Sequence, residues 1–418
     1  MAYRIAGIDV HKKMLAVVVA DVSVEGEFQF ARRVVGTSPR ELRELAAWFV
    51  AEAVDEVVME STAQYWRPVW EVLERAWQPH GERLLHLAQA QSNRGPRGRK
   101  QDFPDAERLV KRLVAHELTL SFVPDVEQRL WRTVMRRKHQ LTRNRVQLQN
   151  RLECLLEEAH LKVSSLVSDL LGLSARRMLQ AVADGETDPG ALAALADRRL
   201  RAAPDELQDA FGAARDLHPV YRRLVGMTLE ELRRLEEQML QLDRDMAELI
   251  ATHHAAVLRL AEVPGLGVDS GQQIIAEVGP TAATFPSSKH LSSWVGACPG
   301  DEQSAGVSYS HRSPKGNRQM RRLLHQAANA AVKTKGSVFQ LLYRRLVPRL
   351  GHAQTIWAVA HRLCRLIWKI LHEGVRYEER GPAVTHERLQ RRTAQMIRDL
   401  RRLGYRVEVT SSLAGSPS

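Results

Sequence analysis

Two carboxylates three positions apart, Asp102 and Asp105, stand where a loop gives way to a helix-forming stretch. Residues at positions i and i+3 of a helix share a face, so both side chains can point at one spot. Asp102 could be a helix N-cap and Asp105 a first-turn acid that complements the helix dipole. The pair could instead be half of a metal site, provided that other elements bring further carboxylates to it.

The bulk composition favours a polyanionic partner. The chain has 418 residues, enough for two or three domains, and 61 Lys+Arg against 49 Asp+Glu give a net charge of +12. We see no lipidation motif, amphipathic anchor or apolar run near ~20 residues, so we expect nucleic acid rather than membrane and a soluble, cytoplasmic protein. Cys154, Cys298 and Cys364 lie far apart without metal-ligand spacing, so neither a disulfide framework nor a zinc site is expected.

The first 116 residues show the pattern of an α/β domain. β-Rich runs at 4–10, 15–21 and 28–35 with tight connections predict an antiparallel meander. Helix and strand then alternate: a helix opened by Ser38 and Pro39, a strand at 56–59, a helix at 66–77, a strand at 84–88 and a helix at 105–116. This order, β-β-β-α-β-α-β-α, is that of the ribonuclease H-like fold.

Acidic residues occupy the places where that fold carries its metal ligands. Asp9 lies on the first predicted strand, Glu60 ends the fourth, and Asp102 and Asp105 begin the helix after the fifth. Mg²⁺ prefers oxygen ligands, so converging carboxylates plus a substrate phosphate make a natural site for it. Paired metals can stabilise both the attacking and the leaving oxygen of a phosphoryl displacement. We therefore predict a Mg²⁺ site at these four carboxylates rather than four unrelated surface acids.

Several basic segments could contact a nucleic acid. They are the loop 91–100, a helix at 126–160 with eight Lys/Arg and no acid between Arg129 and Arg151, and the stretch 312–322. A helix, Gly-Leu-Gly turn, helix pattern at 263–279 is typical of a helix-hairpin-helix, whose turn amides face a DNA phosphate. Solvated charges and a plain helical turn are the alternatives.

Nucleic-acid contacts are predicted at Arg97, Arg99, Lys100, Arg136, Arg137, Lys138, Arg143, Arg145, Gly265, Gly267, Arg312, Lys315, Asn317, Arg318 and Arg321.

The remaining chain is predicted to be mostly helical. Short helices are expected in 161–215. Heptad spacing predicts a coiled-coil seam that pairs with the 126–160 helix or with another subunit, the alternative being an ordinary core helix. The residues of this seam are Leu232, Leu235, Met239, Leu242, Met246 and Leu249.

Further helices are expected from Gln319 through Ala331 and at about 353–372, and the basic tail after Gly381 is expected to be disordered. We divide the chain into four domains, 1–125, 126–255, 256–345 and 346–418.

Ser304 lies in a stretch, 301–322, that is predicted to be a polar loop entering a helix. Ala305 and Gly306 follow it and leave its hydroxyl sterically open. Serine is a poor nucleophile unaided, and composition alone makes Ser304 an ordinary loop hydroxyl. Three other serines would compete for any role: Ser308, Ser310 and Ser313.

Several motifs together resemble one family. The segments 7–12, 59–62 and 100–106 resemble the DEDD domain of the insertion-sequence transposases of family one-ten, relatives of the Piv DNA invertase. Segments in 264–306 and Lys315-Gly-Asn-Arg318 resemble that family's C-terminal transposase domain. Both halves match in order over nearly the whole chain. Two departures, Val307 where the family often has Lys and Gln101 where it often has Thr, affect no proposed ligand or nucleophile.

The resemblance implies a RuvC-like N-terminal domain, a helical coiled-coil insertion and a mostly helical C-terminal domain. It implies that Asp9, Glu60, Asp102 and Asp105 bind Mg²⁺ and that Ser304 joins DNA as a phosphoserine. It also implies donor and target DNA, a noncoding bridge RNA that pairs with both, and a homo-oligomer, a dimer assembling to a tetramer, on the bacterial nucleoid. A hydrolytic junction resolvase and a non-catalytic nucleic-acid-binding protein remain the alternatives.

Overall fold

The computed structural model describes residues 3–23, 28–61, 63–90, 93, 102–298, 302–304, 307–310, 313–379, 394 and 397–398. The chain divides into two compact units, 1–125 and 126–418. The predicted contacts at Arg97, Arg99, Lys100 and Arg312, and nearly all of the tail after Gly381, lie outside the described residues.

Unit 1 is built on a mixed six-stranded sheet in the order β3-β2-β1-β4-β5-β6. Its strands are β1 (Arg4–Val10), β2 (Met14–Asp21), β3 (Ala31–Gly36), β4 (Glu56–Glu60), β5 (Leu84–Ala88) and β6 (Leu120–Ser121). The first three strands form an antiparallel meander, β1, β4 and β5 run parallel, and β6 is antiparallel to β5. Its helices are α1 (Pro39–Ala51), α2 (Trp66–Ala76) and α3 (Asp102–Val114), with a 3₁₀ turn at Gln78–His80. The predicted ribonuclease H-like fold is confirmed.

In unit 1 two elements differ from the prediction by more than one residue, and one strand was not predicted. β3 begins at Ala31 rather than at 28, and α3 runs from Asp102 to Val114 rather than over 105–116. Strand β6 has two residues, too few for an alternating pattern to reveal. Because α3 already begins at Asp102, both Asp102 and Asp105 lie in its first turn.

The two faces of the sheet bury different residues of β1. Ala6, Ile8 and Val10 belong to the larger core, which α1 and α2 cover. Ile5 belongs instead to a smaller core with residues of α3. Side chains alternate between faces along a strand, so Gly7 and Asp9 share the α3 face with Ile5. The same alternation places Glu60 of β4 on the face of Val58, which packs with α3.

The described residues of unit 2 are helical apart from one hairpin. Its helices are α4 (Val126–Glu158), α5 (Leu173–Asp184), α6 (Pro189–Ala194), α7 (Pro204–Ala210), α8 (Pro219–Leu249), α9 (His254–Ala261), α10 (Val268–Val278), α11 (Ser288–Val295), α12 (Arg318–Ala331) and α13 (Val338–Glu373). Short 3₁₀ turns lie at Lys162–Ser165, Gly212–Asp216 and Ala251–His253. The predicted 353–372 helix is the second arm of α13, which bends at Gly351, where φ is 72°.

The long helices α4 and α8 pack against each other in antiparallel directions. Lys138 pairs with Asp243, and further along α4 Arg145 pairs with Glu236, which lies earlier in α8. The six periodic residues from Leu232 to Leu249 are buried or partly buried. The structure therefore shows that the seam pairs with the 126–160 helix, one of the two partners considered for it. A coiled coil stays a prediction.

The segment predicted as a polar loop contains a hairpin. Strands β7 (Glu302–Ser304) and β8 (Val307–Ser310) pair antiparallel, with Ser304 opposite Val307. Polar composition suggested a loop, but backbone pairing does not require apolar side chains. Among the described residues no helix is long and apolar enough to cross a bilayer.

Candidate functional site

The close approach of α3 to β1 builds the candidate site. A Cβ added to Gly7 would lie 2.3 Å from the carbonyl oxygen of Ala106 and 2.9 Å from Cγ2 of Val110. Only a residue without a side chain lets the helix backbone come this near the strand. The first turn of α3, with Asp102, thereby lies beside the end of β1, where Asp9 stands.

His11 links the carboxylates of Asp9 and Asp102. Its Nε2 atom lies 3.1 Å from Asp9 Oδ2 and 3.2 Å from Asp102 Oδ1. Ligand atoms of these three residues all lie within 4.8 Å of one another. His11 was not among the predicted site residues, although its position two residues after Asp9, just past a β-strand, was a signal that it could turn back toward that carboxylate.

The four predicted carboxylates act on one another electrostatically. Burial raises the pKa of Asp9 above its usual range, and His11 opposes this rise. The negative charges of Asp105, Glu60 and Asp102 each raise the pKa of Asp9 further. Asp9 and Asp102 therefore meet at His11, while Glu60 and Asp105 lie near enough to disfavour a negative charge on Asp9.

A second chain of contacts joins Glu60 to Asp105. The Nδ2 atom of Asn93, a residue only 2% exposed, donates to Glu60 Oε2 at 2.9 Å. Arg108 donates from Nε to the backbone oxygen of Asn93 at 3.1 Å and from Nη2 to Asp105 Oδ1 at 2.5 Å. We name Asn93 and Arg108 the carboxylate brace. Neither was predicted, since nothing in their spacing marks them as partners.

The donor set fits a hard divalent cation. Carboxylate oxygens of Asp9 and Asp102 meet around His11, and Glu60 and Asp105 lie near enough to act on Asp9 electrostatically. Carboxylate oxygens are the preferred ligands of Mg²⁺. The Oδ1 atom of Asn93 is also buried, next to Glu60, without a hydrogen-bond partner among the described residues. An orphaned buried oxygen beside surplus negative charge is the environment that a cation and its bound water would satisfy.

In unit 2 the buried carboxylate of Glu277 organises three helices. Its side chain is 5% exposed, and Arg136 of α4 donates to both of its oxygens at 3.0 Å. Arg132 donates to the Glu277 backbone oxygen at 2.6 Å. Asn317, the N-cap of α12, donates to Glu277 Oε2 at 2.9 Å while its own oxygen accepts from Gln319 and Met320. Arg136 and Asn317 therefore have intramolecular roles, and nucleic-acid contact by them stays a prediction.

Three more predicted contact residues are engaged within unit 2. Lys138 pairs with both Asp243 and Asp269, and Arg145 donates to Glu236 at 3.1 Å. Arg321 donates to backbone oxygens of Gly296 and Pro314, and its guanidinium lies over the Trp357 ring, 4.5 Å from the centroid. The single-sign stretch of α4 thus forms ion pairs with other helices in part, while a surface of this helix that faces a polyanion stays a prediction.

Other predicted contact residues point outward. Arg137 and Arg143 of α4, together with Lys315 and Arg318 near the start of α12, are exposed and form no ion pair with any residue that the structure describes. These four side chains are available to phosphates, and their contact with nucleic acid stays a prediction.

The two glycines of the predicted helix-hairpin-helix have different surroundings. Gly265 has φ +86°, and an added Cβ would lie 2.2 Å from the Ala327 backbone oxygen, so its need for glycine comes from packing on α12. Gly267 is exposed, precedes α10 and would accept a Cβ without any contact within 4 Å. Of the two, Gly267 is the one whose surroundings leave room for a phosphate.

Comparison with known proteins now adds the family. Residues 6–161 match a model of the DEDD transposases of IS110, described as "Transposase". Residues 257–344 match the model described as "Transposase IS116/IS110/IS902 family". The two matches fall in order and together span more than half of the chain. The chain belongs to the IS110 family of transposases.

Curated relatives of this IS110-family chain are distant. It is 26% identical over 161 residues to an uncharacterized 43.6 kDa protein of insertion element IS110 from Streptomyces coelicolor, covering 38% of this chain and 39% of that protein. It is 26% identical over 161 residues to a pilin gene-inverting protein from Moraxella bovis, covering 37% and 49%. A probable family 20 transposase from Pseudomonas aeruginosa is 26% identical over 288 residues, covering 67% and 75%. The match thus spans less than half the length of the first two relatives.

Among solved structures, a Thermus thermophilus RuvC matches 28% of this chain and 99% of its own at 13% identity, with a TM-score of 0.23. A similarity of this size carries no argument, and the fold assignment rests on the strand order of unit 1.

Proposed function

We propose that this chain is a site-specific DNA recombinase of a mobile insertion element. The observation that carries the proposal is the meeting of Asp9 and Asp102 at His11 where α3 packs on β1, with Glu60 and Asp105 near enough to act on Asp9. Family membership supplies the class of substrate, DNA. The relative named for inverting a pilin gene supports exchange of strands, because an inverted segment is rejoined rather than destroyed.

The four carboxylates would hold Mg²⁺. When bound, the ion would act as a Lewis acid on a phosphodiester oxygen and offset negative charge that develops on the oxygens around phosphorus. Asp9 and Glu60 are fixed on rigid strands, and Asp102 and Asp105 on the first turn of a helix, so the chain presents oxygens without large rearrangement. His11 orients Asp9 and Asp102 toward each other.

Ser304 would be the nucleophile. Its Oγ would lose its proton, attack phosphorus and form a phosphoserine ester. The bond from phosphorus to the deoxyribose oxygen would break, and that oxygen would take up a proton in exchange and leave as a hydroxyl. Attack by another strand's hydroxyl would reverse these steps and return the serine, so no net hydrolysis occurs. What supports this assignment is the place of Ser304 at the last residue of β7, beside the hairpin connection, with the exposed cations Lys315 and Arg318 following β8.

Guidance by a noncoding bridge RNA and assembly into a homo-oligomer complete the proposal. Both rest on the family resemblance. Exposed cations such as Arg137 and Arg143 offer phosphate contacts that either nucleic acid could use. Division of 126–418 into the domains 126–255, 256–345 and 346–418 is likewise proposed.

A covalent adduct tests the nucleophile. The full chain is incubated with Mg²⁺, the flanking RNA of its element and DNA that carries an element end, then denatured and resolved for protein–DNA adducts. We expect an adduct that Ser304→Ala abolishes. The matched control is Ser308→Ala on the facing strand, which should leave the adduct intact. An adduct that survives Ser304→Ala would show that another residue attacks.

The hydrolytic alternative predicts a different pattern. A junction resolvase with the same carboxylates would cut DNA without any adduct and would be indifferent to Ser304→Ala. Replacing Asp102 and Asp105 together with Asn should abolish cutting in both cases. If that double variant keeps full cutting activity, the carboxylate site has no part in the reaction. If neither the unmodified chain nor the variant cuts DNA and both bind it equally, the chain acts through binding alone.

A further inference from the structure

A groove runs between the two arms of α13, on either side of the bend at Gly351. Its volume is about 630 Å³. Leu342 and Leu346 of the first arm form one wall, and Leu366 and Trp368 of the second arm contribute apolar surface to the other. The second arm, 352–373, lies beyond residue 344, where the second family match ends, so that match assigns it no role.

Three cations follow one edge of this groove. Arg362, Arg365 and Lys369 line it at spacings of three and four, which places them on one face of the helix. All three are exposed, and Arg362 and Arg365 form no ion pair within the part of the chain that the structure describes. Lys369 lies 3.7 Å from Glu373, the one acid among the described lining residues.

The whole of α13 has the same excess of positive over negative side chains. The 36 residues of α13 contain six Lys/Arg and a single acid, Glu373 at the last position. Helix solubility does not require charges of one sign, so the excess favours a polyanionic ligand. The neighbouring His361 is affected by this positive charge, because burial first and then the charge of Arg365 lower its pKa.

The spacing of the cations matches a nucleic-acid backbone. Arg362 and Lys369 are separated by seven residues, about 10 Å of helix axis. One strand of a DNA duplex rises about 3.4 Å per phosphate, so about three phosphates fit that length. We propose that this groove, which we call the α13 groove, binds the phosphate backbone of one strand of duplex DNA. The choice of DNA as the polyanion rests on the proposed function.

Charge argues against the chain's own end as the occupant. Residues 380–418 carry eight Lys/Arg and three acids, so that segment would be repelled by the three cations of the groove. The apolar walls suit the sugar edges of the strand, while the cationic rim supplies the contacts that position a duplex without reading its sequence.

The test measures binding without chemistry. The full chain in EDTA is titrated against a short mixed-sequence DNA duplex, and the association constant is followed by fluorescence anisotropy between about 50 and 200 mM salt. The test variant combines Arg362→Gln, Arg365→Gln and Lys369→Gln. The control combines Arg198→Gln, Arg199→Gln and Arg201→Gln, which removes the same charge from exposed positions elsewhere in unit 2.

The slope of log K against log salt is negative, and loss of three phosphate contacts should make it less steep by about 2–3. The same loss should weaken binding roughly 100-fold at about 0.1 M salt. The control should change the slope by less than about 1. Equal losses of DNA affinity in both variants would mean that only the net charge of the protein matters, and this would overturn the proposal. Unchanged DNA binding by the test variant would overturn it as well.

The same titration with an RNA duplex of matching sequence identifies the ligand. A loss confined to RNA would overturn the assignment to DNA. Because no strand is cut in EDTA, a failure of Ser304 or of the carboxylates as catalytic groups leaves this measurement unaffected. Thermal melting of both variants confirms that the exposed substitutions leave the fold intact.

Discussion

The side-chain amide of Asn93 donates a 2.9 Å hydrogen bond to Glu60, a residue 33 positions earlier in the chain. The backbone oxygen of Asn93 also accepts a hydrogen bond from Arg108, and Arg108 donates a second hydrogen bond to Asp105. Two of the four clustered carboxylates, one on a strand and one on a helix, are thus oriented by one brace. The neutral amide orients Glu60 without neutralising it, so the charge that would attract a cation is retained.

Asn93→Ala should weaken binding of a divalent cation about 10- to 100-fold, the usual cost of losing an outer partner of a metal ligand. The reason is that Glu60 loses the donor that sets its orientation. Calorimetric titration with Mn²⁺ measures the affinity. Asn150→Ala on the exposed face of α4 serves as the control and should bind Mn²⁺ as the unmodified chain does. Equal affinity for Asn93→Ala would mean that the brace does not orient a metal ligand.

Gly7→Ala should lower the free energy of unfolding of unit 1 by about 1–3 kcal/mol, because the new methyl group overlaps the α3 backbone at Ala106. It should also weaken Mn²⁺ binding, since α3 carries Asp102 and Asp105. Denaturant unfolding measures the first effect. Gly226→Ala inside α8 is the opposite control: its Cβ meets Ala183 at an ordinary 3.4 Å, and it should stabilise by up to about 1 kcal/mol.

Glu277→Gln should destabilise unit 2 by on the order of 3 kcal/mol, near the lower end of the cost of breaking a buried ion pair, because Arg136 is 39% exposed and water can replace part of its partner. Denaturant unfolding followed by the fluorescence of Trp131 and its neighbours reports the change. Glu230→Gln removes an exposed carboxylate that also pairs with two arginines, Arg233 and Arg234, and should change stability little. Similar losses in both variants would contradict a special role for the buried site.

Tyr3 should give unit 1 a pH-dependent stability at alkaline pH. Its hydroxyl donates to Glu56, and this hydrogen bond together with burial raises the pKa of Tyr3 from 10.0 to about 12. A raised folded-state pKa favours the protonated phenol, so the stabilisation is complete below pH 10.0 and is lost as the pH rises toward about 12. Unfolding free energies measured across this window should fall more steeply for the unmodified chain than for Tyr3→Phe. If the unfolding free energies of the two proteins fall in parallel with pH, the hydrogen bond from Tyr3 to Glu56 is not the source of the pH dependence.

Much of unit 1 could be predicted because its signals are local. Short, nearly continuous apolar runs define β1 and β2, Ser38 and Pro39 begin α1 as predicted, and acids fall at the ends of the predicted elements. A strand order that matches a known fold then brings Asp9, Glu60, Asp102 and Asp105 together. Residue types and short spacings carried all of this information.

The partners of individual polar side chains depend on residues far away in the sequence, so only the tertiary structure shows them. The eight cations of α4 looked alike in the sequence, yet Arg136 is bonded to Glu277 from 141 positions away while Arg137, next to it, is exposed. The same holds for the brace formed by Asn93 and Arg108 and for the position of His11 between two carboxylates.

The sequence by itself therefore determined the fold of unit 1, the family and the four carboxylates of the candidate site. The tertiary structure decided which polar groups satisfy one another and which stay open to a ligand, such as the cations of the α13 groove. The physical reason is that helical and strand periodicity act over a few residues, whereas a buried charge is stabilised by whichever distant element the fold places against it.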